Sequence, residues 1–291
     1  MTPAGTVPRA RPGHRRALLA GVTPGQVAVL LLLSLLTAVA LYPLVWLVLN
    51  SLKSMDALFE RNWSLPEVWQ WGNYLQAWNA GLGHYVVNSV FVTAVSVALI
   101  VLVGALAAFA LTVFDFRGKG LVYAFLIGGI IVPPEVTLFP LFRILFVLRL
   151  YDTYLAMILP YVAFGLSFAT FLIRAHMVLI PQELHEAAVV DGAGFWTIFR
   201  RIYLPISRPA LAAVAMIMTM RVWNEFTFAL TFIESDSLRT LTIGISTFGD
   251  ALRVDWAVLM AGLVISVLPV LATFLLVQRQ FIAGLTQGAI K

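Results

Sequence analysis

Four ionisable residues lie inside long apolar stretches of the sequence: Glu135, Arg143, Arg221 and Glu225. A charged side chain at the centre of a bilayer costs about 2.5–3.5 kcal/mol on insertion scales, so such a residue indicates either a functional site or a compensated pair. Arg221 and Glu225 are four residues apart, which places them on one face of a helix, where they can neutralise each other. Arg143 lies near the end of its stretch, where a long side chain can snorkel to water.

Motifs for enzymatic chemistry are absent from the sequence. There is no H-E-x-x-H pair for zinc and no G-x-x-x-x-G-K-[ST] loop for ATP. Ser167 has no G-x-S-x-G setting. The absence of cysteine excludes disulfides and thiolate ligands. The sequence therefore predicts no catalytic residue, no metal site and no cofactor bound by this chain.

The composition is that of an integral membrane protein. Apolar residues make up 61% and charged residues 11% of the 291 positions, against roughly 45–50% and 25% in soluble domains. The net charge of +5 is distributed over the ends of apolar segments rather than along one polar face, so no nucleic-acid partner is predicted. Lipid is the expected surrounding of most of the chain.

Six segments are long enough to cross a membrane, which takes about 20 apolar residues in a helix. The first has 23 residues, longer than the apolar core of a signal peptide, and is predicted to be retained. Pro133 and Pro134 interrupt the third. The predicted spans are Val27–Leu49, Ser89–Val113, Leu121–Leu148, Tyr154–Ile173, Ala210–Phe232 and Ala257–Val277.

The distribution of Lys and Arg predicts the orientation, because cytoplasmic segments carry more of them. Twelve lie in the two terminal tails, the 114–120 turn and the 174–209 loop, and five lie in the other connections. Both termini are therefore expected in the cytoplasm. The outer 50–88 segment contains four tryptophans, which suit either the lipid headgroup interface or a docking partner.

The inner 174–209 loop is predicted to form two short helices. Pro181 suits a first helical position, and a helix of about two turns follows over 182–190. Asp191 and Gly192 favour a sharp turn. A second helix is expected from about Phe195 to Leu204, with its end at Pro205.

This loop resembles the signature of type I ABC importer permeases. It contains an E-A-A triplet at 186–188, Gly192 four residues after the triplet, and I-x-L-P at 202–205. The C-terminal tail QRQFIAGLTQGAIK, together with Asn88-Ser89 and the W-N-E-F run at 223–226, is similar to the maltose-type carbohydrate-uptake branch. The resemblance implies an all-α membrane protein of six transmembrane helices, with a cytoplasmic coupling helix between the fourth and fifth.

The same resemblance implies that the loop docks on a cytoplasmic ATPase, which binds ATP and Mg²⁺. The expected assembly contains two ATPase subunits, a second and different permease, and an external solute-binding protein, in the bacterial cytoplasmic membrane. A partnerless amphipathic helix is the alternative for the loop, and simple turn formation is the alternative for Asp191. The residues assigned to coupling are Leu184, Glu186, Ala187, Ala188, Asp191, Gly192, Ile202, Leu204 and Pro205.

A solute path is expected where intramembrane polar groups could replace water around a hydroxylated solute. The candidates are Glu135, Arg221, Trp223, Asn224 and Glu225. A structural Arg221–Glu225 pair and packing by Trp223 are the alternatives. The expected solute is a sugar or related polyol; a glycerol phosphate or an ion-coupled transporter built on Glu135 or Glu225 are the other hypotheses.

The sequence is divided on these grounds into four regions. They are a cytoplasmic tail at 1–25, the first span and outer loop at 26–84, the transmembrane domain at 85–278 and a cytoplasmic tail at 279–291.

Overall fold

A computed structural model describes residues 24–251 and 255–287, with side chains described for 24–247 and 255–275. The N-terminal arginines and the whole C-terminal tail signature, residues 278–291, therefore lie outside the described side chains. The chain divides into two compact units after Leu47. The first contains most of helix α1, Pro24–Ser51, whose residues are apolar on all sides.

The second unit is all-helical in the residues described. Its helices are α2 Met55–Glu60, α3 Gly72–Ala77, α4 Gly83–Val113, α5 Lys119–Ile131, α6 Leu138–Val147, α7 Tyr154–Met177, α8 Gln182–Val190, α9 Phe195–Ile198, α10 Leu204–Ile206, α11 Arg208–Trp223, α12 Thr227–Phe232, α13 Leu241–Ala251 and α14 Trp256–Gln287. Single π-helical turns connect α3 to α4 over Trp78–Leu82 and α9 to α10 over Phe199–Tyr203.

Within the described residues, four helical segments are long and apolar enough to cross a membrane, and six if each of two bent pairs counts as one span. The bent pairs are Lys119–Ile131 with Pro134–Val147, at 101°, and Phe195–Ile206 with Arg208–Trp223, at 73°. The first bend lies at Pro133 and Pro134, because neither proline can donate a backbone hydrogen bond to continue the helix.

Two predicted spans differ from the structure. The fifth was expected to be one helix from Ala210 to Phe232, but α11 ends at Trp223 and α12 begins only at Thr227. The side chain of Glu225 replaces the helical hydrogen bonds at this break, as described below. The sixth, expected to end near Val277, continues as helix to Gln287.

Close packing of α4 against α7 forms the centre of the second unit. A β-carbon on Gly104 would lie 2.8 Å from that of Ala169, and one on Gly165 would lie 2.5 Å from Cδ1 of Ile100. Small residues at such positions let two helix backbones approach, which is how helices associate in membranes. α11 packs on α4, α7 and α14 and completes the core.

Candidate functional site: a helical elbow and a membrane cleft

The elbow, residues 181–207, begins with α8 and a tight turn. The amide of Ala193 donates to the carbonyl of Ala188 at 2.9 Å, and that of Gly192 donates to Val189 at 3.0 Å. These two bonds form a Schellman motif, which requires a left-handed residue after the helix. Gly192 has φ +77°, a conformation that costs a side-chain-bearing residue about 1–2 kcal/mol. The expected turn at Gly192 is therefore present.

The second limb of the elbow extends beyond its expected end. Instead of stopping at Pro205, the helical path runs through the π turn at Phe199–Tyr203 into α10, which ends at Ile206. A π turn shifts the hydrogen-bond register, so Pro205 is accommodated near the start of the next helical turn. The ring of His176 also contacts the carbonyl of Ile206 at 3.2 Å and joins α7 to the elbow.

The nine predicted coupling residues fall into two groups by exposure. Leu184, Glu186, Ala187, Asp191 and Gly192 are exposed on the first limb and its turn, whereas Ala188, Ile202, Leu204 and Pro205 are half-buried. Three of the half-buried residues, all except Pro205, pack on the main core. Around the exposed group lie further apolar side chains, including Val190 at 87% exposure. The first limb is thus an uncovered surface, and the second limb is its anchor.

An aromatic cluster, Phe109, Phe114, Phe195, Phe199 and Tyr203, attaches the elbow to α4. The ring of Phe109 lies 5.1 Å from that of Phe199 and 5.0 Å from that of Tyr203. Phe114 and Phe195 are 4.8 Å apart. Edge and tilted pairs at these distances contribute about 0.5–1.5 kcal/mol each beyond area burial. Sequence reasoning missed this cluster, since its two halves are about ninety residues apart in the chain.

A cleft of about 190 Å³ lies between α7, α11 and the bend at Pro134. Three predicted path residues line it: Glu135, Arg221 and Glu225. The rings of Tyr161, Phe164 and Phe228 form its apolar wall, with Tyr161 and Phe228 stacked at 6.3 Å. The cleft therefore combines flat apolar faces with charged groups inside a membrane-spanning region.

Glu225 makes three hydrogen bonds that hold the broken fifth span. Its carboxylate accepts from the Tyr161 hydroxyl at 2.5 Å, from the Phe228 amide at 2.8 Å and from the Ala229 amide at 3.2 Å. The two amides belong to the first turn of α12, where no carbonyl of the same helix is available as an acceptor. The Thr242 hydroxyl also donates to the backbone oxygen of Glu225 at 2.8 Å.

The interpretation of Arg221 and Glu225 as a helical ion pair is wrong. The ion pairs within 4.0 Å among the described side chains do not include these two residues. Because α11 ends at Trp223, the i,i+4 geometry no longer applies to Glu225. The Arg221 guanidinium lies 5.4 Å from the centre of the Phe168 ring instead.

The remaining predicted path residues have different surroundings. Trp223 is only 6% exposed and donates from Nε1 to the Ser266 carbonyl of α14 at 3.2 Å. Asn224 is exposed and donates to the Met220 carbonyl at 2.8 Å. Neither residue lines the cleft that contains Glu225; both line a second one, beside α13 and α14.

At the opposite end of the unit from the elbow, the 233–241 loop is held by buried polar groups of α4. The Asn88 amide donates to the carbonyls of Ser237 and Arg239, both at 2.9 Å, and accepts from the Tyr154 hydroxyl at 2.8 Å. The Ser89 hydroxyl accepts from the Leu241 amide at 2.7 Å. The sequence singled out Asn88 and Ser89 only through the resemblance to the maltose-type branch, and their contacts with this loop were not predicted.

Asp152, in the connection between α6 and α7, binds the same loop through hydrogen bonds. Its carboxylate accepts from the amides of Glu234 and Ser235, both at 2.9 Å, and from the Ser235 hydroxyl. Burial works to raise the pKa of Asp152, but these hydrogen bonds outweigh it and hold the pKa below the usual value. Nothing in the sequence indicated this contact.

The tryptophans of the 50–88 segment are mostly exposed. Trp63, Trp69 and Trp71 have 73%, 50% and 66% of their surface accessible, and the last two rings stack at 6.4 Å. The segment itself is tightly held, because Lys53 is buried and donates to the carbonyls of Arg61 and Asn62 at 2.7 and 3.1 Å. Burial lowers the pKa of Lys53. Exposed tryptophans fit either a lipid interface or a docking partner.

Comparison with known proteins identifies the family. Residues 100–281 match the model of the binding-protein-dependent transport system inner membrane component. The chain belongs to this family. It is therefore a multi-pass membrane permease, the non-catalytic membrane component of an ABC transporter.

Similar proteins agree with this assignment. The permease is 42% identical to the probable ABC transporter permease YurM of Bacillus subtilis, over 92% of this chain and 89% of that protein. It is 33% identical to the diacetylchitobiose uptake permease NgcG of Streptomyces coelicolor, over 89% and 87%. A chain of a bacterial ABC transporter that imports alginate has the same fold, with a TM-score of 0.74, 23% identity and coverage of 88% and 95%. This fold match confirms the all-α architecture expected from the sequence.

Proposed function

We propose that the exposed limb of the elbow docks on a cytoplasmic ATPase and passes its movement to the transmembrane helices. The observation that carries the proposal is the contrast within the elbow, where α8 has no buried residue and the second limb buries Ile198, Phe199 and Tyr203 in the core. An apolar helix face set in a groove is a common mode of recognition, and Leu184 with Val190 supplies such a face here. Small Ala187 permits close approach to the groove.

Glu186 is the proposed polar contact of this surface. Its carboxylate is exposed and accepts from the Gln182 side chain at 3.0 Å, which holds it on the outer side of α8. A carboxylate so placed can accept a charge-assisted bond from a basic residue of the ATPase. Asp191 and Gly192 set the direction of the limb through the turn, while Ile202 and Leu204 pack on the core and anchor it.

The proposed complex contains two ATPase subunits that hold ATP and Mg²⁺, a second permease and an external solute-binding protein. One assembly built on this fold is a solved alginate transporter in complex with its saccharide-bound periplasmic protein. A chain of that structure matches this one at 14% identity and a TM-score of 0.62. The complex would lie in the bacterial cytoplasmic membrane with both termini inside. The division at residues 25, 84 and 278 stays a prediction.

A saccharide is the proposed solute. Several relatives are named for sugars: diacetylchitobiose, arabinooligosaccharides, and melibiose, raffinose and stachyose. Another is named for the glycoside sulfoquinovosyl glycerol. The cleft beside Glu225 supports this choice, since ring faces suit the apolar face of a sugar and Glu135 and Arg221 suit its hydroxyls. At about 190 Å³ it is smaller than the ~300–1,000 Å³ of a pocket for a drug-sized ligand, so it would hold a single sugar ring.

Co-purification of the permease with an ABC ATPase of the same organism tests the docking proposal. Glu186→Ala should weaken the association and lower ATP-driven uptake, whereas Glu183→Ala, also exposed on α8, is the matched control and should not. Uptake of labelled diacetylchitobiose and raffinose into vesicles tests the solute class. Wild-type permease that purifies without an ATPase, or takes up sugar without ATP, would overturn the proposal.

A further inference from the structure

The aromatic cluster joins the elbow to α4, a helix that is not its neighbour in sequence. The elbow follows α7 and precedes α11 in sequence, so those helices are joined to it covalently. α4 ends at Val113, almost seventy residues before α8, and contacts the elbow through aromatic side chains. Phe109 is the centre of that contact, with ring neighbours Phe199, Tyr203 and Phe114.

The contact is buried and extends to the docking limb. Phe109, Phe199 and Tyr203 are 5%, 1% and 5% exposed. The ring of His185, on α8, lies 6.1 Å from that of Tyr203. A displacement of α8 therefore presses on Tyr203, and through Tyr203 on Phe109, because close-packed interiors transmit displacement with little compression.

α4 is long and continuous enough to transmit such a displacement from one end to the other. It is 31 residues long, contains no proline and has no break in its helical hydrogen bonds. Asn88, which holds the 233–241 loop, lies 21 residues from Phe109, or roughly 30 Å along the axis at about 1.5 Å per residue. The two ends of one helix thus bind the elbow and the loop on opposite sides of the membrane.

We propose that α4 is the rod that couples the elbow to the 233–241 loop. Phe109, Phe199 and Tyr203 form its inner joint, and Asn88 and Ser89 form its outer joint. The inference rests on the proposed docking of α8. These five are positioning residues: when the ATPase moves α8, the loop changes its hydrogen bonding, and by reciprocity a protein bound at the loop alters the ATPase.

Hydrogen–deuterium exchange on the purified complex of the two permeases and the ATPase tests the rod. Trapping the ATPase with Mg-ATP and vanadate should change exchange of the 237–241 amides in the wild type by about fivefold or more, the lower end of ordinary coupling. Phe109→Leu and Tyr203→Leu should keep the ATPase bound and lose this change. Tyr203→Phe keeps the ring and should retain it.

Phe171→Leu is the matched control, since the Phe171 side chain on α7 is 42% exposed and so lies outside the core. It should behave as the wild type. Absence of any nucleotide-dependent change in the wild-type loop, or retention of the change in both Phe109→Leu and Tyr203→Leu, would overturn the rod. If Phe109→Leu does not assemble, the comparison of Tyr203→Leu with Tyr203→Phe decides the question alone. Failure of the wild type to bind an ATPase would instead refute the docking proposal.

Discussion

The Tyr161 hydroxyl donates a 2.5 Å hydrogen bond to the Glu225 carboxylate and so joins α7 to the break in the fifth span. The same carboxylate accepts from two amides in the first turn of α12, those of Phe228 and Ala229. One acidic side chain therefore stabilises an interrupted helix and forms part of the wall of the proposed sugar cleft. The polar oxygens of this side chain are satisfied within the protein, as groups inside a membrane must be.

Replacing Glu225 by glutamine should destabilise the permease by about 1–3 kcal/mol, because the donors bind both carboxylate oxygens and an amide offers only one, so at least one donor loses its acceptor. Tyr161→Phe should cost less, about 1 kcal/mol, because the carboxylate keeps both amide bonds. Thermal unfolding in detergent gives the order of the midpoints. Asn224→Ala is the control, since Asn224 is exposed and its amide bonds only the preceding turn. Equal midpoints for Glu225→Gln and the control would contradict this account of the break.

Sequence reasoning predicted the features that depend on local pattern. Apolar segment length indicated the spans, and the glycine after α8 predicted the left-handed turn that Gly192 makes. Pro133 and Pro134 likewise predicted the interruption of the third span, because proline acts on its own helix.

The features that failed or were missed depend on residues distant in sequence. The fifth span breaks at Asn224–Phe226 because Tyr161 and Thr242 bind Glu225 from other helices, and neither is visible from the local pattern. The helical ion pair with Arg221 was wrong for the same reason. Phe109 and Tyr203, or Asp152 and Ser235, meet only after the helices pack, so their roles could not be predicted from spacing.

Gly192→Ala should weaken α8 and its turn by about 1–2 kcal/mol, through backbone strain alone. A β-carbon there would contact nothing within 4 Å, yet φ is +77°. Gly194→Ala is a matched control, because it also meets nothing within 4 Å and its φ is −72°. Affinity for the ATPase, measured by co-purification over a range of ATPase concentrations, should fall for the first variant only. A comparable loss in both would assign the effect to side-chain bulk or composition rather than to the turn.

The Asp152 carboxylate should make the 233–241 loop sensitive to acid. Because hydrogen bonds hold its folded pKa below the unfolded value, the stabilisation is complete above about pH 4 and is lost as pH falls through the folded pKa. Asp152→Ala removes the acceptor oxygens, so it should abolish this dependence and expose the Glu234 and Ser235 amides at neutral pH. Deuterium exchange at neutral pH and thermal unfolding between pH 6 and pH 3 are the measurements. A wild type and variant with equal protection of both amides would contradict the contact.

Gly104→Ala should destabilise the permease by about 1–3 kcal/mol, the usual cost of overpacking. The added β-carbon would meet that of Ala169 at 2.8 Å, and alanine has no rotatable side chain that could move away. Relief therefore requires α4 and α7 to separate. Gly128→Ala, in α5, meets nothing within 4 Å and should leave the thermal midpoint unchanged or slightly higher, because alanine favours helix over glycine. If the α4 rod operates as proposed, Gly104→Ala should also reduce the nucleotide-dependent exchange of the 237–241 amides. A destabilised variant with the full exchange response would show that the α4–α7 contact supports the fold but not the coupling.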